Sequence, residues 1–148
     1  MKKKIIILAL LPLMLMGCDS LFDVGDTDKV YDGPPLLGFF PLQQEVSQAD
    51  GTITVEVQLI AEQRTSDLPV TFSVNGSSTA VAGTHFNITT PSPVTLAAGT
   101  STVDIEIELI DGSLNAGDDS VTLILDMEGT ADVQADPNLD QSRTFIAP

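Results

Sequence analysis

The sequence predicts an all-β domain, a two-sheet antiparallel sandwich of about seven strands that follows a short leader and a polar tether. Three observations carry that expectation. Apolar and polar residues alternate strictly along four segments. The stretches between those segments are mixtures of Gly, Pro, Asn, Asp and Ser. No segment holds the i, i+3, i+4, i+7 apolar spacing of an amphipathic helix over two turns.

The leader comes first. "MKKKIIILALLPLMLMGCDS" has a basic head (Lys2, Lys3, Lys4) and an apolar run from Ile5 to Met16. That run falls short of the ~20 residues of a membrane-spanning helix and ends in small residues, as secretory signals do. The sequence Leu15-Met16-Gly17-Cys18 resembles the bacterial lipoprotein box, in which the Cys is acylated, with palmitate among the acyl groups, and opens the mature chain. Residues 1–17 are then a signal peptide, and Cys18 is the attachment point to a membrane. Each buried methylene of such chains contributes about 0.8 kcal/mol, so several acyl chains hold a protein stably at the surface.

Residues 18–35 are the lipidated Cys and an Asp-rich tether, "DSLFDVGDTDKVYDGPP", with five Asp, two Gly and two Pro and no sustained periodicity. As a flexible coil it spans roughly 20–25 Å. It is similar to the Asp-rich stretches after the lipidated Cys of exported bacterial lipoproteins. An outer-membrane location in the cell envelope is therefore favoured, with inner-membrane retention as the alternative.

The folded part is assigned to residues 36–148. "TITVEVQLI" places Ile53, Val55, Val57 and Leu59 on one face, "VTFSVN" adds Val70, Phe72 and Val74, "STVDIEIELI" gives Val103, Ile105, Ile107 and Leu109, and "SVTLILDM" gives Val121, Leu123, Leu125 and Met127. Each is a half-buried strand with its apolar side on a shared core. Shorter candidates lie at Leu36–Leu42, Thr84–Thr89, Val94–Ala97 and Arg143–Ala147. A closed barrel is the alternative arrangement of the same strands. On the outward faces, Asp104, Glu106 and Glu108 form a negative stripe, and Ile124 is expected to be an exposed apolar contact point.

Composition narrows the function. Loss of residues 1–17 leaves three basic side chains (Lys29, Arg64, Arg143) against 21 acidic ones, a net charge of −18. Such a chain cannot neutralise a phosphate backbone, so nucleic acid is excluded as a partner. With Cys18 the sole cysteine, no disulfide supports the fold. The one histidine, His85, is the sole base available to a Ser-His-Asp triad. It is expected to face solvent beside Asn87 and Thr89, opposite Phe86 and Ile88, which disfavours that role. Glu106 and Glu108 lie on an exposed strand face with no sign of the pocket that glycoside hydrolysis needs. Catalytic residues are therefore expected to be none, and zinc lacks its ligands.

The runs "VSQADGTITVEVQL", "VTFSV", "AVAGTHF", "VTLAAGTSTVDIEIELIDG" and "NAGDDSVTLIL" together resemble the Calx-beta domain, in order and spacing, from about Leu36 to Pro148. The resemblance implies an immunoglobulin-like sandwich and, in many members, calcium held by acidic loops at one end. Calcium takes six to eight oxygens at about 2.3–2.6 Å. Where the family pattern favours Glu before the first turn glycine, this chain has Gln48, and where it has Asp after Gly-Thr, this chain has His85. Asp111, Asp118 and Asp119 alone keep their charge. These three are the candidate metal ligands, and calcium binding is expected to be weak or lost, with no other cofactor. "DGSLNAGDD" and "DPNLDQ" each carry part of an EF-hand-like alternation but lack its glycine. The expected function is a lipid-anchored, non-catalytic binding or structural module of the bacterial envelope, an accessory subunit or adhesion-type domain whose partner is an envelope protein or glycan. The alternatives are a calcium-dependent adhesion module and a small envelope enzyme or enzyme inhibitor.

Overall fold

The computed structural model describes residues 31–148; the expected signal peptide, Cys18 and most of the tether lie outside the described residues. Ten strands follow in order: β1 (Leu36–Phe40), β2 (Gln43–Ser47), β3 (Thr52–Ile60), β4 (Leu68–Val74), β5 (Phe86–Ile88), β6 (Val94–Leu96), β7 (Thr102–Leu109), β8 (Val121–Glu128), β9 (Gln134–Ala135) and β10 (Gln141–Ala147). A single 3₁₀ turn, Gln48–Asp50, separates β2 from β3. One sheet has the order β5-β7-β3-β1-β9 and the other β2-β10-β8-β4-β6.

The predicted sandwich forms because the alternation closes on itself. In the β3–β7 ladder Ile53 faces Ile107, Val55 faces Ile105 and Val57 faces Val103, so each inward residue meets another across the strand pair. Val55, Val57, Ile105 and Ile107 are fully buried, and Phe39, Val70, Phe72, Leu123, Leu125 and Ile146 meet them from the remaining central strands. Each such side chain contributes roughly 1.5–3 kcal/mol relative to exposure, which lets the domain stand without disulfides.

The strand count exceeds the seven expected because two strands lie outside the candidate segments, β2, which begins at Gln43 just past Leu36–Leu42, and β9. Leu36–Phe40 pairs antiparallel with β3, the chain turns at Pro41, and Gln43–Ser47 joins the opposite sheet, pairing parallel with β10. "QQEVS" carries a single apolar residue and two-residue β9 none of any length, so neither shows the alternation by which strands are read. The β1–β9 pairing is likewise parallel, and the remaining ladders are antiparallel.

Two faces differ from expectation. Val74, at the last position of β4, is 40% exposed, because the core ends before the strand does. Ile124, expected to be an exposed contact point, is 9% exposed. The Asn75–Ala80 segment runs beside β8, with Asn75 N–H donating to the Ile124 carbonyl and Thr79 and Ala80 N–H to that of Thr122. Ile124 stands outside the core cluster, and what the alternation does not show is the Asn75–Ala80 segment that continues the pairing along β8 past the end of β4. At Gly38 the chain itself is the cover: the Phe39 N–H donates to the Leu139 carbonyl at 2.8 Å, and a Cβ at Gly38 would lie 2.9 Å from the Leu139 side chain.

Candidate metal loops

The candidate ligands gather at the end of the sandwich where β3 begins and β7 finishes. Ser47 caps the 3₁₀ turn through its hydroxyl, which accepts from Ala49 N–H at 3.3 Å, while Asp50 accepts from Ser47 N–H at 2.8 Å. Gly51 follows at φ 77, a backbone position that favours glycine, and its carbonyl accepts from Leu109 N–H at 2.7 Å. These bonds fix Gln48 facing inward.

Gln48 is 7% exposed and bonds to a loop more than 60 residues away in sequence. Its Oε1 accepts from Leu114 N–H at 2.8 Å and from the Ser113 hydroxyl at 3.1 Å, and its Nε2 donates to the Leu114 carbonyl at 2.9 Å. The side-chain amide thus satisfies both backbone groups of Leu114. A carboxylate in its place would accept from the N–H but meet the carbonyl with a second acceptor, so the arrangement selects Gln over Glu.

The three aspartates of the β7–β8 loop take separate roles. Asp118 accepts from both the backbone N–H and the side-chain amide of Asn115, at 2.7 and 3.0 Å. These two bonds, the backbone one first, hold its carboxyl below the usual aspartate range. Asp111 and Asp119 are exposed. Among the described residues no group of three or more His, Cys, Asp or Glu side chains converges as metal ligands would. In the other EF-hand-like stretch, Asp136 accepts from Asn138 N–H at 2.8 Å, an Asx turn.

His85 is a turn residue, half-buried rather than fully exposed. Its Nδ1 accepts from Val81 N–H at 2.8 Å, its own N–H donates to the Val81 carbonyl at 2.9 Å, and its carbonyl accepts from Ile110 N–H at 3.0 Å. The Nδ1 lone pair is therefore committed to the turn, and the proton of the neutral ring sits on Nε2. No Ser–His–Asp constellation forms around it among the hydrogen bonds that His85 makes.

A family model of the Calx-beta domain matches residues 31–147. The chain belongs to the Calx-beta domain family. Its fold is similar to the Calx CBD1 domain in its apo form (TM-score 0.64, 17% identity, 77% of this chain and 96% of that one). It is also similar to the calcium binding domain CBD12 of CALX1.1 (TM-score 0.62, 18% identity, 74% of this chain and 43% of that one). A third match is the Calx CBD2 domain (TM-score 0.60, 11% identity, 75% and 85%). Among functionally curated proteins none matches the chain. In this Calx-beta domain, Gln48 and His85, read from the sequence as departures from the family pattern, are both built into backbone-bonded turns. The Gln48–Leu114 contact itself escaped sequence reading. An amide in a position that favours a carboxylate is the signal for it, since only the amide brings a donor.

Proposed function

We propose that this Calx-beta domain is a lipid-anchored, extracytoplasmic, non-catalytic binding or structural module of the bacterial envelope, and that its calcium end is closed by its own hydrogen bonds. The observation that carries the second half is the Gln48 amide, which occupies Leu114 and Ser113 where a cation would need oxygens. Asp118 adds to this, since its carboxylate is already engaged by Asn115. The first half rests on the leader and on Leu15-Met16-Gly17-Cys18. An envelope protein or glycan is the partner class that suits a strongly acidic, disulfide-free sandwich on a tether.

Two experiments test the two halves. Calorimetric titration with calcium is expected to give no heat for the wild-type chain and none for Asp111→Ala or Asp119→Ala. Saturable heat that either substitution removes would instead make this a calcium-dependent adhesion module. Metabolic labelling with palmitate is expected to mark the wild-type chain and not Cys18→Ser, and labelling of both would overturn the anchor.

A further inference from the structure

The seam where β4 stops carries a chemistry of its own. Beyond Val74 the Asn75–Ala80 segment takes over the pairing along β8. The Asn75 N–H donates to the Ile124 carbonyl at 2.9 Å, the Ile124 N–H to the Ser78 hydroxyl at 3.0 Å, and the Thr122 N–H to the Thr79 hydroxyl at 2.8 Å. Asn75 opens the segment, half-buried, with its side chain held at both ends. Its Oδ1 accepts from Ser77 N–H at 2.8 Å, an Asx turn, and its Nδ2 donates to Oδ2 of Asp126, whose Oδ1 accepts from Gln141 Nε2 at 3.0 Å.

The next residue is Gly76, and the backbone does not require a glycine there. Its φ lies outside the left-handed region, and a Cβ would meet nothing within 4 Å. It is exposed, and its N–H takes no part in the bonds of the turn. What the glycine supplies is a backbone nitrogen unshielded by any side chain, next to an amide carbon. Of the chain's four asparagines, Asn75, Asn87, Asn115 and Asn138, Asn75 alone precedes a glycine.

We propose that Asn75–Gly76 is a site of spontaneous deamidation, restrained by the Asp126 carboxylate, and that conversion releases the Asn75–Ala80 segment from β8. The Gly76 nitrogen gives its proton to a solvent base and bonds to Asn75 Cγ. The Cγ–Nδ2 bond then breaks, the nitrogen leaves as ammonia, and water opens the succinimide ring to an aspartate or its β-linked isomer. No electrons are exchanged. Asp126 opposes the first two steps: its charge disfavours both the deprotonated nitrogen and the oxyanion that forms on Cγ, and as an acceptor it gives no proton to the departing amine. The bonds at Oδ1 and Nδ2 also keep Cγ from turning freely onto the Gly76 nitrogen. After conversion the donor to Asp126 is gone. Two carboxylates then face each other where an amide held the start of the segment, and the Ser78 and Thr79 hydroxyls lose the anchor that sets them on β8.

The full chain, held at mildly alkaline pH, is read by peptide mapping for amide-to-acid conversion and by hydrogen exchange at Thr122 and Ile124. Asn87, Asn115 and Asn138 are the internal controls. Asp126→Asn keeps an acceptor for the Asn75 amide but removes the charge. It is expected to raise conversion at Asn75 about tenfold, the lower end of a charge-assisted hydrogen bond, with exchange in the unconverted chain unchanged. Gly76→Ala, for which the turn has room, is expected to bring Asn75 down to the rate of the controls. Asn75→Asp carries the product's charge from the start and is expected to speed exchange at Thr122 and Ile124, while Asn75→Asp with Asp126→Asn restores it. Conversion of Asn75 no faster than the controls in Asp126→Asn would overturn the site. Equal conversion in wild type and Asp126→Asn would overturn the restraint, as would a rise matched by faster exchange in the unconverted chain, which is local unfolding. Unchanged exchange in Asn75→Asp would overturn the release.

Discussion

The two ends of the β3 strand use polar side chains in opposite ways. Where β3 begins, Gln48 makes three side-chain hydrogen bonds to Ser113 and Leu114, Asp118 is engaged by Asn115, and His85 by Val81. Where β3 ends, the Arg64 Nε–H is buried and spent on nothing. Turns of similar composition thus give one end whose buried amide is bonded from within and another that leaves one guanidinium nitrogen unbonded.

The largest effect that breaks this contrast is expected at Gln48. Gln48→Leu keeps the side-chain size but strands the N–H and carbonyl of Leu114, and it should cost about 2–4 kcal/mol in denaturant unfolding. Gln48→Glu retains an acceptor for the N–H and sets a carboxylate against the carbonyl, so a smaller loss of about 1–3 kcal/mol is expected at neutral pH, measured in the same way. At the other end, Arg64→Gln removes a group that has no partner, so the change should stay within about 1 kcal/mol of wild type. A loss there as large as that at Gln48 would erase the contrast.

The strand surface between the two ends supplies a smaller effect. Glu56 and Asp104 stand directly opposite on β3 and β7, a like-charge pair eased by the Gln58 amide, which donates to Glu56 at 2.6 Å. Asp104→Lys should stabilise the domain by about 0.2–1 kcal/mol, and less in high salt. Asp118 gives the smallest and most local effect. Its folded pKa is lowered, so its contribution is present above the unfolded aspartate pKa and is lost as pH falls through the depressed one. The Asn115 amide resonance should therefore titrate in acid, below the ordinary aspartate range, while the Gln48-bonded Leu114 amide stays in place.

Much of the fold was legible because burial imposes period two. The four long alternations became β3, β4, β7 and β8 with their predicted inward residues, Val74 excepted. β2 and β9 were not legible, since their pairing is backbone to backbone and their side chains pack little. Ile124 was misjudged because period two gives the side a residue faces and not how much of that side is covered. At the candidate site the sequence showed that Gln48 and His85 depart from the family pattern, which is a local fact. It did not show that the amide reaches Leu114, since that contact depends on the turn at Gly51 and on β7 ending beside it. Arg64 left no sequence signal at all: a single arginine in a polar loop acquires meaning once its Nε is found buried.

The central claim is that the protein's own amide closes the loop end, and amide hydrogen exchange at Leu114 tests it most directly. With calcium absent, the Leu114 N–H should exchange slowly, and adding millimolar calcium should leave that rate unchanged. Fast exchange in calcium-free solution that slows when calcium is added would contradict the account, because the cation and not Gln48 would then be what orders the loop.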